Sequence, residues 1–284
     1  MRIRKKELKL RFIGKRYTQF KLIMPQNFMT DILLTNDDGF KSAGFYPLLK
    51  ELSKYFSVTA VAPSSEQSWI GKSISRNNTL SITPVKLKEF EIFSLNGTPA
   101  DCVQIGLYDI LNTRPKLVVS GVNIGLNTGH GRILSSGTVG ASMEASIDGL
   151  KSIAASIHIP KGINHFEIDE IVFHNAAKIT ADIIKIFIDK PLGETDLLNI
   201  NIPFNAKPNA EVVVTRPHRD PYGKLFHKTE GVYKHASPLI DFSKTKPGTD
   251  LHALAEEKIS ITPINLELVS EKGMEQVKKI LGHY

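Results

Sequence analysis

The 284-residue chain is long enough to bury a sizeable core, and its composition is that of an ordinary soluble globular protein. Its single cysteine, Cys102, excludes an internal disulfide and a multi-cysteine zinc site and fits a reducing cytosol. The net charge of +7 is local, because residues 1–28 hold nine Lys/Arg against the single acid Glu7 while the rest of the chain holds 27 against 28; a whole-protein nucleic-acid reading loses its support.

The basic segment has no apolar run long enough for a signal-peptide core or a membrane span. Three readings of it stay open: an upstream extension with the natural start at Met24 or Met29, a disordered basic arm, or a targeting segment rich in Arg and poor in acid. No spanning stretch occurs elsewhere, so a soluble, cytoplasmic protein is expected.

Residues 32–34, Ile-Leu-Leu, form an apolar run without polar alternation, which predicts a buried parallel strand. It stops at Asn36-Asp37-Asp38-Gly39. Helical spacing of Phe45, Leu48, Leu49, Leu52 and Phe56 predicts a helix over 43–55, and 57–62 reads as a second strand ended by Pro63. Residues 31–62 are thus a βαβ unit with a right-handed crossover. A polar loop over 63–78 follows, then a hairpin over 79–95. Thr98 and Pro99 predict the N-cap and first residue of a helix that runs to about Leu111. Residues 116–121 form a third buried strand, which opens into a Gly-rich loop over 121–131. A helix is expected from Val139 to Gly149, a strand over 153–159, a helix over 168–188 and a strand over 196–202. This alternation predicts an α/β fold with a doubly wound, mostly parallel sheet. From about 203 the pattern becomes irregular, with short strands at 211–215 and 258–262, a hairpin, and a last helix over 270–281. Residues 203–284 are expected to form an arm that packs on another subunit, and 29–202 the core.

Two adjacent carboxylates repel, so folding them together calls for a cation, a shared proton or strong hydrogen bonding; the alternative is a solvated turn. Asp37 and Asp38, the loop holding Ser68 and the loop opening at Asn123 leave their strands on the same rim of a doubly wound sheet, where ligands bind. Oxygen donors from three loops suit Mg²⁺ or Mn²⁺. The Gly-rich loop and the helix start at Ser136-Gly137-Thr138 offer N–H and hydroxyl groups to a phosphate. Together they point to metal-assisted phosphoryl chemistry. Other phosphate motifs fail: Gly71-Lys72-Ser73 has Glu66 where a P-loop needs glycine, and Gly129-x-Gly131 has Leu134 where a dinucleotide fingerprint needs its third. Cys102 reads as a small core residue. Trp69, beside Ser68, is either a stacking platform for a base or part of the core.

These residues bring out a resemblance. The chain resembles the SurE family, stationary-phase survival proteins that act as nucleoside-monophosphate phosphatases. The similarity runs over about 30–265 and rests on Ile32 to Gly39, Val61-Ala-Pro63 with Gln67-Ser68, Asn96 to Val103, Ser120 to Gly125, Ser136 to Val139 with Met143-Glu144, and Gly248-Thr-Asp250 with Ser260 to Pro263. The resemblance implies a Rossmann-like core and a C-terminal β-hairpin and helix arm exchanged in a homodimer or homotetramer. It implies one divalent metal ion per subunit, Mg²⁺ or Mn²⁺, on Asp37, Asp38, Ser68 and Asn123. Asp37 and Asp38 are then the catalytic residues, and Asn127, Ser136, Gly137 and Thr138 bind the substrate phosphate. Departures are confined. Where the family usually has Asp-Arg-Asn-x-Ser-Gly, this chain has Ser64-Ser65-Glu66-Gln67-Ser68-Trp69. The loop from Asn127 to Ser136 is one residue longer than usual. Glu257 stands where glycine is common.

The expected activity is hydrolysis of nucleoside monophosphates to nucleoside and phosphate, a 5′-nucleotidase. The rival is a metal-stabilised nucleotide or RNA binder that uses the basic arm without turnover.

Overall fold

The structure is a computed structural model that describes residues 29–163, 167–219, 221–236 and 240–282. The basic segment 1–28, and with it every reading offered above for that segment, lies outside the described residues.

The first strand, β1 (Ile32–Thr35), is completely buried. Its side chains alternate between two cores. Ile32 and Leu34 pack with α1 (Phe45–Leu52) and α5 (Glu170–Phe187), while Leu33 packs with α2 (Pro99–Ile105) and α4 (Gly137–Ile147). A strand without polar alternation needs apolar cover on both faces, and helices on both faces supply it. The remaining strands are β2 (Val58–Pro63), β3 (Ile82–Leu87), β4 (Phe90–Leu95), β5 (Leu117–Ile124), β6 (Ser152–Ile157), β7 (Leu197–Ile202), β8 (Val212–Val214) and β11 (Ile259–Ile264). They form one nine-stranded sheet in the order β3-β4-β2-β1-β5-β6-β7-β11-β8. The run from β4 to β7 is parallel, and β3 and β11 pair antiparallel with β4 and β7. This is the α/β, doubly wound, mostly parallel Rossmann-like sheet that the sequence predicts.

Local chemistry accounts for several helix starts. Thr98 and Asp101 form a capping box, with Pro99 at the first helical position of α2. Asp169 caps α5 by accepting from the N–H of Ile171 at 2.9 Å. After Ile105 the α2 helix continues as a π-turn over Gly106–Ile110, where the sequence predicts unbroken α-helix to Leu111.

The largest departure lies between 121 and 131. The sequence predicts a Gly-rich loop; the structure extends β5 to Ile124 and folds Gly129–Ser135 into a short helix, α3. The cause is long-range. β5 continues to pair with β6 as far as Ile124 against Ile157, across a bulge between Ser120 and Asn123. The N–H groups of Gly129 and His130 are taken by Asp250 and the carbonyl of His218.

Residues on both sides of position 203 belong to the central sheet. The chain leaves after β7 and returns as β8, α6 (Asp250–Ala255) and β11. Outside the sheet are the antiparallel hairpin of β9 (Phe226–Thr229) and β10 (Val232–His235) and a terminal helix, α7 (Glu271–Leu281).

Candidate active site

The parallel order reverses at β1, which has β2 on one side and β5 on the other. The carboxyl ends of β1 and β5 therefore border a switch point, the crevice where open α/β sheets bind ligands. Asp37 and Asp38 follow β1, and Asn123 is the penultimate residue of β5, beyond its bulge. The extra residue in the bulge changes the face on which the following side chains stand.

Asn36 folds the acidic turn by donating its side-chain amide to the carbonyl of Gly39 at 2.8 Å. Asp37 is almost fully buried, 4% exposed. Its carboxylate accepts from the Thr138 hydroxyl at 2.5 Å and from the Thr138 backbone N–H. Asp38 is half-buried and accepts from the Ile124 N–H at 2.9 Å. Burial holds both carboxyls above the ordinary carboxylate range. Asp38 is pushed up to about 8, first by burial and then by the charge of Asp37. Among the described residues no Lys, Arg or His side chain forms an ion pair with either.

Helix α4 runs its first turn against Asp37. Ser136 caps it, its hydroxyl accepting from the Val139 N–H at 3.1 Å. Gly137 lies so close to Asp37 that a Cβ there would sit 2.8 Å from the aspartate Cβ. Only glycine permits that approach. The positive end of α4 thus faces a carboxylate.

The third segment, the loop from Ser64 to Leu80, is fastened along its length. Gln67 donates its N–H to the Asp37 carbonyl at 2.7 Å, and Gly71 to the Ser135 carbonyl at 2.8 Å. Lys72 pairs with the buried Glu144 at 2.6 Å. Thr98 donates to the Ser73 carbonyl at 2.6 Å. Ser68 is exposed, and its hydroxyl donates to Glu66 at 2.5 Å. Trp69 follows with φ +60°, and Glu257 has φ +56°. Both departures from a usual glycine thus fall in left-handed backbone, which costs a non-glycine residue about 1–2 kcal/mol.

Asp37, Gly137 and Thr138 are brought into contact, with Asp38 beside them on the Ile124 N–H and Ser68 one residue beyond the Gln67 link. Asn123 donates its amide NH₂ to the Gly125 carbonyl at 2.9 Å, which leaves its oxygen as the end able to meet a cation. Two of the expected phosphate donors are engaged elsewhere. The Thr138 hydroxyl serves Asp37. The Asn127 side chain donates to Ser156 at 2.8 Å, and its backbone N–H and carbonyl meet the side chains of Asn201 and Asn199. The N–H groups of Gly125, Asn127, Gly129 and His130 are all paired within the protein and are not offered to a phosphate.

Sequence reasoning missed Ser156, Asn199 and Asn201 in the polar scaffold beneath this segment, and it named Asp250 only as part of a motif, without its role there. Asp250 is fully buried and accepts from the N–H groups of Gly129, His218 and Leu251 at 2.7–2.9 Å. The available signal was an Asn or Ser inside otherwise apolar, doubly covered strands.

A buried and a half-buried carboxylate, with no cationic side chain paired to them among the described residues, and the neutral oxygens of Ser68 and Asn123 are a donor set that fits a hard divalent cation. Among the described residues no three His, Cys, Asp or Glu side chains converge as a metal cluster. A cation here would therefore rest on two acids and on neutral oxygens.

The family model described as "Survival protein SurE" matches residues 32–224. The chain is 37% identical to the "5′-nucleotidase SurE" of Archaeoglobus fulgidus over 252 residues, 84% of this chain and 92% of that one. It is 38% identical to the protein of the same name from Methanocaldococcus jannaschii over 272 residues, 89% of this chain and 97% of that one. The crystal structure of the SurE protein from Aquifex aeolicus superposes with a TM-score of 0.74 at 32% identity, covering 88% of this chain and 99% of that one. With a family model matched over residues 32–224 and relatives 37–38% identical over most of both chains, the chain belongs to the SurE family.

Proposed function

We propose that the chain is a divalent-metal-dependent 5′-nucleotidase that hydrolyses nucleoside monophosphates to nucleoside and phosphate. The observation that carries this reading is the acidic pair at the switch point, Asp37 buried and Asp38 half-buried, with which no Lys, Arg or His side chain among the described residues forms an ion pair. The curated names of the archaeal relatives give the reaction class.

Asp37, Asp38, Ser68 and Asn123 would hold one Mg²⁺ or Mn²⁺. A divalent cation bound there supplies a Lewis acid for a phosphoryl oxygen and a water acidified toward neutral pH. The other roles belong to the chain. Thr138 fixes the orientation of Asp37 through its hydroxyl and N–H, and Ile124 fixes Asp38. The positive end of α4, whose Thr138 N–H meets Asp37 and whose Val139 N–H meets the Ser136 hydroxyl, favours an anion beside Ser136 and Gly137. Asn127 takes its position from Ser156, Asn199 and Asn201, which makes it a scaffold residue of the phosphate side. In the reaction a water oxygen bonds to phosphorus as the ester P–O bond breaks, and the departing nucleoside oxygen takes a proton.

The same reading makes the enzyme a cytoplasmic homo-oligomer. Its association region is the part of 203–284 outside the sheet, where Leu268, Val269, Met274, Val277, Ile280 and Leu281 are exposed. Among the described residues no helix is long and apolar enough to cross a membrane.

Phosphate release from a panel of nucleoside monophosphates, by the wild type and by Asp38→Asn, tests the assignment. The variant is expected to remain folded and to lose at least the roughly 10- to 100-fold in activity that disturbing a metal ligand's surroundings costs. Full activity in Asp38→Asn removes that residue from the site.

A further inference from the structure

Trp69 is the only aromatic residue of the loop over 63–78 and stands directly beside Ser68, with its backbone in the left-handed region at φ +60°. Its ring is not core. It is 42% exposed, although the loop on either side is pinned to the site by Gln67 on Asp37 and Gly71 on Ser135. An indole part-exposed at such a place has surface left for a ligand.

Behind it stand aromatic groups from a remote part of the chain. The Tyr222 ring lies 5.5 Å from Trp69, centroid to centroid, and tilted by 48°. The His235 ring meets Trp69 edge-on at 4.8 Å, and Phe226 meets His235 at 5.5 Å. Tyr222 is itself anchored. Its hydroxyl shares a 2.5 Å hydrogen bond with Ser135. Its ring lies so close to Gly131 that a Cβ there would come within 2.7 Å of it. The aromatic wall therefore spans from the loop of Ser68 to the residue that precedes the α4 cap, Ser136.

We propose that Trp69, backed by Tyr222 and His235, is the platform on which the base of a nucleoside monophosphate stacks while its phosphate occupies the rim of Asp37 and Asp38. This names a specificity determinant for the site and rests on the nucleotidase reading above. Stacking on an aromatic face accepts every base, because each has a π-face, and it discriminates against a phosphate ester that has no base. Tyr222 and His235 act as positioning residues, setting the plane of the indole.

Trp69 is the only tryptophan in the chain, so its fluorescence reports stacking directly and independently of turnover. Titrating the full chain with guanosine 5′-monophosphate should give saturable quenching, and ribose 5-phosphate should give none. No quenching by the nucleotide, or equal quenching by both, overturns the platform. In turnover, the ratio of kcat/KM for guanosine monophosphate to that for ribose 5-phosphate should fall about 5- to 150-fold in Trp69→Ala, the range that base–aromatic stacking supports. Trp69→Phe should recover most of that ratio. An equal loss on both substrates would mean a structural role and overturn the proposal. Quenching without phosphate release would uphold the platform and overturn the nucleotidase reading; phosphate release without quenching would do the reverse.

Discussion

Asp37 and Asp38 connect stability to pH and to metal. Burial raises both carboxyls above their unfolded value. The stability they allow is fully present below about pH 4, where both states are protonated, and is lost as pH rises toward about 8 for Asp38. In the presence of a chelator the midpoint of thermal unfolding should therefore fall between pH 5 and pH 8. The fall should shrink in Asp38→Asn and on adding Mn²⁺ to the wild type. Differential scanning calorimetry reads this, and a metal-free midpoint that rises with pH contradicts it. Thr138 makes a separate test. Thr138→Val keeps the shape but removes the donor to a buried carboxylate, a loss of about 1.5–3 kcal/mol in unfolding free energy. A denaturation midpoint within error of the wild type would remove the Thr138–Asp37 bond from the account.

The elements divide by where their causes lie. Helix α2 was legible because its causes are adjacent: Thr98, Pro99 and Asp101 form the whole start signal. Thr98→Ala should cost about 1 kcal/mol and lower the melting temperature by about 2–4 °C. An unchanged melting temperature argues against the capping box. The segment from Gly121 to Ser135 was not legible. Its glycines look like a loop, but its conformation is set by β6, by Asp250 and by the backbone of His218, all distant in sequence. The same distance hid the fate of Thr138. Ser-Gly-Thr was readable as a helix start, but not that the threonine would turn to Asp37. Helix α4 also carries a prediction of its own. Gly137→Ala places a methyl against Asp37, so phosphate release should drop roughly ten- to a hundredfold, as misplacement of a reacting group does, with the melting temperature lowered far less. Undiminished turnover would show that the helix start and the carboxylate need not touch.

At the scale of the whole molecule, strand order made the site. Neither the acidic turn nor Asn123 is unusual alone, and the turn taken by itself was equally a solvated one. What joins them is that β1 and β5 are neighbours at the reversal of the sheet, which the alternation of strands and helices implied. The return of β8 and β11 to the far edge was less visible, because short strands in a polar stretch carry little period of their own. The exposed apolar residues of α7 suit burial against another copy. Light scattering should give a mass at least double the 31.5 kDa of one chain, and Val277→Glu with Ile280→Glu should reduce it. A 31.5 kDa wild-type particle would mean that this face is not an interface. The central claim is that the acidic pair at the switch point holds a divalent cation for phosphoester hydrolysis. Phosphate release from a nucleoside 5′-monophosphate should disappear when the protein is stripped with chelator and return when Mg²⁺ or Mn²⁺ is added back. Release that persists undiminished after stripping, or that no divalent cation supports in a folded protein, would contradict it.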